Sequence, residues 1–180
     1  MEVKENWPRL EIEEGHNSGA CFWVQPVRLA EKGEPDTNDD GNGNKIFLGI
    51  VEHCCQEISL DEYAVELFLW SLLTKHYDEF LSVQYRDKDS EDFSPCFEWY
   101  LTHNVYSYGT VREMIAEMRN TAINLRKTND SFMSSIVAGS KEDKVEGNKL
   151  IADFYERLCS RLERMMVESP GFQNISFMGP

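Results

Sequence analysis

The stretch Leu10-Glu11-Ile12-Glu13-Glu14-Gly15-His16-Asn17-Ser18-Gly19-Ala20-Cys21-Phe22-Trp23-Val24-Gln25-Pro26-Val27-Arg28-Leu29 decides the fold class. Leu10 and Ile12 alternate with Glu11 and Glu13, the period-two pattern of a half-buried strand. Ala20 to Val24, joined to Val27 and Leu29, reads as a second strand. Residues 15–19 between them are turn chemistry, so the pattern predicts a β-hairpin. Pro26 cannot donate to a ladder, which places it at a bulge or an edge.

Working outward, residues 31–44 form a polar loop and residues 45–51 a strand with two buried faces. Ser59 with Glu62 three residues on has capping-box spacing. It predicts a central buried helix carrying Leu60, Tyr63, Ala64, Leu67, Phe68, Trp70, Leu72 and Leu73 and ending near His76. Glu57, Asp61 and Glu62 would then sit beside the favourable end of the helix dipole. Residues 80–86 and 96–101 read as two more strands.

Thr110 with Glu113 is a second capping box. It opens an amphipathic helix with Val111, Ile115, Met118, Ala122 and Leu125 on one side. Residues 129–147 fit either loop or frayed helix. A last helix, about 148–168, carries Ile151, Phe154, Leu158, Leu162 and Met165 on one face. Its four bases balance four acids, with Lys149–Asp153 and Asp153–Arg157 one turn apart. Ser169-Pro170-Gly171 stops it, and Ile175 and Phe177 fit a closing strand. The expectation is a single α+β domain over residues 1–180, with an antiparallel sheet of four to six strands packed on about three helices.

The charge is regional. Of a net −14 over 180 residues, −11 lies in residues 31–92, where sixteen acids face five bases. Such a surface repels nucleic acid and anionic lipid and attracts basic partners. The chain is 41% hydrophobic, enough for a core without metal or disulfide. No apolar run is long enough for a membrane helix, and the first residues lack the features of a secretion signal. Cys21, Cys54, Cys55, Cys96 and Cys159 are odd in number and scattered, which fits reduced thiols in a cytoplasmic protein. Monomer and homodimer both remain open.

Three sets of residues are candidates for chemistry. Asp36, Asn38 and Asp40, followed by Gly41, match the opening of a calcium loop. The twelfth position is Phe47 rather than a bidentate Glu, so no metal or other cofactor is expected. His53, Cys54, Glu66, Cys96 and His103 are the candidate catalytic groups. His53 and Cys54 are neighbours in a strand and should diverge. Asp36, Asp39, Asp40, Asp87, Asp89, Glu91 and Asp92 would bind a basic partner, with Trp7, Tyr85, Trp99, Tyr106 and Tyr108 as aromatic anchors. No phosphate loop, dinucleotide fingerprint or nucleophile elbow is present. The leading expectation is a non-enzymatic, inhibitor- or immunity-like binding module. Its alternative is an enzyme acting on a small cationic or neutral substrate in a sheet–helix pocket.

Overall fold

The computed structural model describes residues 10–15, 22–31, 34, 37–39, 46–48, 50–54, 56–60, 72, 75–76, 103–128 and 141–178. Strands β1 (Ile12–Glu14), β2 (Phe22–Leu29), β5 (Ile50–His53), β6 (Ile58–Leu60), β7 (His103–Ser107) and β8 (Asn174–Met178) form a six-stranded antiparallel sheet. Its order is β1-β6-β2-β8-β7, with β5 paired to β2. Strands β3 (Thr37–Asp39) and β4 (Ile46–Leu48) make a separate two-stranded ribbon. Two helices, α1 (Tyr108–Lys127) and α2 (Lys141–Glu168), connect β7 to β8. The class is therefore α+β. The described residues hold two helices where about three were expected.

The N-terminal hairpin does not form. β6 lies between β1 and β2 and pairs with both. The reason is burial: Ile58, Ser59 and Leu60 are each 1% exposed, whereas Glu13 and Glu14 of β1 are exposed. A short charged strand suits an edge, and an apolar one the interior. Gly15 takes a positive φ of 81° where β1 ends, and its N–H donates to the Glu57 carbonyl at 2.7 Å.

Ser59 itself lies in β6. Its hydroxyl donates to the Gly15 carbonyl at 2.7 Å, and Glu57 precedes a strand rather than a helix start. The predicted helix after it lies outside the described residues, apart from Leu72, Lys75 and His76. Leu72 and Lys75 are helical, and the His76 N–H donates to the Leu72 carbonyl at 3.3 Å. The strands expected at residues 80–86 and 96–101 also lie outside them. β3 appears inside the expected polar loop.

Pro26 sits in β2, a strand flanked on both sides. Between the pairs Val24↔Ile58 and Val27↔His53, two residues of β2 face four on the neighbouring chain, so the ladder bulges there. The Pro26 carbonyl accepts the Cys54 N–H at 3.0 Å. A strand residue's N–H and C=O point the same way, so the donor that Pro26 lacks would have faced this bulge.

The N-cap of α1 lies three residues before the expected one, Thr110. Ser107 is the N-cap, its side chain accepting the Thr110 N–H at 3.1 Å. Ser107→Ala should cost about 1 kcal/mol and Glu113→Ala close to nothing, as measured by urea unfolding. Equal losses would restore the box at Thr110. The stripe Val111, Ile115, Met118, Ala122 and Leu125 is buried as its period predicts. α2 extends seven residues beyond its expected start, to Lys141.

The helices run antiparallel, locked by Arg119 to Glu163 through two 2.7 Å bonds and by Arg126 to Asp153 and Glu156, each at 2.8 Å. Asp153 thus pairs its carboxylate across the hairpin. Phe154, Leu158 and Leu162 pack with Phe22, Val24, Ile58, Leu60, Tyr106, Ile175 and Phe177 in one core. On the other sheet face Val27 and Val105 are fully buried. The closing strand β8 is central, not peripheral.

Candidate functional site

His53 and Cys54 go to different partners. The Gln25 side-chain N–H donates to His53 Nδ1 at 2.7 Å. Cys54 Sγ lies 3.1 Å from Ser169 Oγ, at the end of α2. A strand turns successive side chains to opposite faces, and the structure keeps that separation. His103 begins β7 and pairs with Met178. The strands bearing His53 and His103 are separated by β2 and β8, so about 14 Å lies between them. Glu66 and Cys96 lie outside the described residues. No two of the three described candidates meet.

Cys54 belongs to a structural polar knot. The Tyr108 hydroxyl donates to the Ser169 carbonyl at 2.7 Å, and the Tyr108 N–H to the Gln173 carbonyl at 2.9 Å. Gln173 adopts φ 63°, the left-handed conformation that turns α2 into β8. Burial, then the nearby Cys54, pushes the Tyr108 phenol up from 10 to about 12. Burial raises Tyr155 also, and lifts the Cys159 thiol from 9 to about 11. A raised folded pKa favours the protonated form. These groups therefore contribute stability that is full below their unfolded values and is lost as pH rises through the folded ones. For Tyr108 the window is pH 10 to about 12. In an ultraviolet phenolate titration, Tyr108→Phe should remove one tyrosine from the late step near pH 12 and leave the ordinary step intact. Loss from the ordinary step would contradict the burial.

Tyr106 and Tyr108 are 2% and 8% exposed, so they are not surface anchors. Tyr106 faces the helices and meets Phe177 edge-on, with centroids 6.1 Å apart. Trp7, Tyr85 and Trp99 lie outside the described residues.

A site the sequence reading missed lies between β1, the bulge and the end of α2. Arg157, Arg161 and Arg164 recur at helical spacing on one side of α2. Arg157 Nη2 donates to the Leu10 carbonyl at 2.8 Å. Arg161 pairs with Glu14 Oε1, and Arg164 Nη2 reaches the same oxygen at 2.9 Å. Three arginines thus clamp the segment that carries β1. Below them opens a cleft of about 280 Å³, walled by Glu14, Gln56, Glu57, Arg161, Arg164 and Glu168, with Met165 and Ile58 as apolar floor. Gln56 Nε2 donates to Glu168 Oε2 at 2.7 Å across it. Its described lining includes three carboxylates, Glu14, Glu57 and Glu168, and two guanidiniums, Arg161 and Arg164. The arginine spacing was readable in the sequence; the strand it grips was not.

Of the calcium-loop candidates only Asn38 is among the described residues. Asn38 pairs with Phe47 in the β3–β4 ladder, while Asp36 and Asp40 lie outside the described residues. Among the described residues no three metal-ligating side chains cluster. Of the expected partner-binding acids, Asp39 pairs with Ile46 in β3; Asp87, Asp89, Glu91 and Asp92 lie outside. No described helix is long and apolar enough to cross a membrane. Comparison with protein-family models, curated proteins and solved structures finds no match.

Proposed function

We propose that this chain is a non-enzymatic binding protein of the cytoplasm that engages a basic partner protein, as inhibitors and immunity-type antidotes do. One observation carries the reading: residues 31–92 hold sixteen acids against five bases. Residues 93–180, with eleven acids and ten bases, are close to neutral. Arg119 and Arg126 pair with Glu163, Asp153 and Glu156 within the helical hairpin. The excess is therefore concentrated, and concentrated charge speeds encounter with an oppositely charged surface. Asp36, Asp39, Asp40, Asp87, Asp89, Glu91 and Asp92 form the binding set. The scattered cysteines support the compartment, and Cys54 and Cys159 are free thiols.

The test is capture from a native lysate with the wild-type chain and with a variant carrying Asn or Gln at those seven positions. The wild type should retain a basic protein that the variant loses. Their association rate should fall about tenfold or more from low to physiological ionic strength. A salt-insensitive complex, or equal capture by the variant, would refute the reading.

A further inference from the structure

We draw no further inference here: the strongest candidate, the side-chain cluster in which the buried His76 and Lys75 share the Glu117 carboxylate where the turn ending at His76 meets α1, rests on the titration of one imidazole, and the described residues do not place every charged group that faces it.

Discussion

Phe154→Ala is expected to lower the unfolding free energy by about 3–5 kcal/mol. Phe154 is fully buried, in the core shared by α2, α1 and the inner sheet face. Truncation removes the transfer free energy of the ring and leaves a cavity that close-packed neighbours fill only in part. Against a total stability of roughly 5–15 kcal/mol for a domain, such a loss leaves a marginal fold. Guanidinium unfolding should show a lower midpoint at an unchanged slope. Val167, on the same helix, is 77% exposed, and Val167→Ala should change stability by less than about 0.5 kcal/mol. A loss below about 1 kcal/mol at Phe154 would mean that the helix does not pack on the sheet as described.

Ser176→Pro is expected to cost about 3 kcal/mol or more. Ser176 is fully buried at the middle of β8, opposite Gln25 on β2 and Val105 on β7. Proline there removes a ladder donor, strands a buried carbonyl and forces its ring against a neighbouring strand. The control is one residue away in the register. Pro26 stands opposite Ile175, and it is tolerated because its missing donor faces the bulge. Pro26→Ala should therefore be nearly neutral by the same measurement. Comparable losses at the two positions would show that the ladder around β8 is not continuous.

Much of the local structure was legible because it depends on short-range periodicity. The stripes of α1 and α2 follow a 3.6-residue repeat, and β2 and β8 follow runs of apolar residues that any solvent-excluding fold would bury. The errors arose where one local signal had two physical uses. Glu57 stands beside acids that suit a helix start, yet it precedes the strand β6, where its carbonyl accepts the Gly15 N–H. The turn-rich residues between β1 and β2 suggested direct pairing. Turn chemistry fixes that the chain bends, not which strand lies beside it afterwards. Asp153 had intrahelical partners at suitable spacing, but Arg126 across the hairpin holds its carboxylate at 2.8 Å.

The candidate site divides in the same way. That Arg157, Arg161 and Arg164 share one side of a helix follows from their spacing. That they grip residues 10–14, almost 150 positions earlier, follows only from the packed fold. The divergence of His53 and Cys54 was implicit in strand geometry, whereas their partners Gln25 and Ser169 were not. By itself, the sequence determined the α+β class, the two long helices, the placing of acid in residues 31–92 and the bulge-or-edge requirement at Pro26. Only the tertiary structure decided that β6 separates β1 from β2, that β8 is central, and that an edge strand and a helix end enclose a mixed-charge cleft. Periodicity is a property of neighbours along the chain, while strand order depends on which buried faces best exclude water together, a comparison made across the whole molecule.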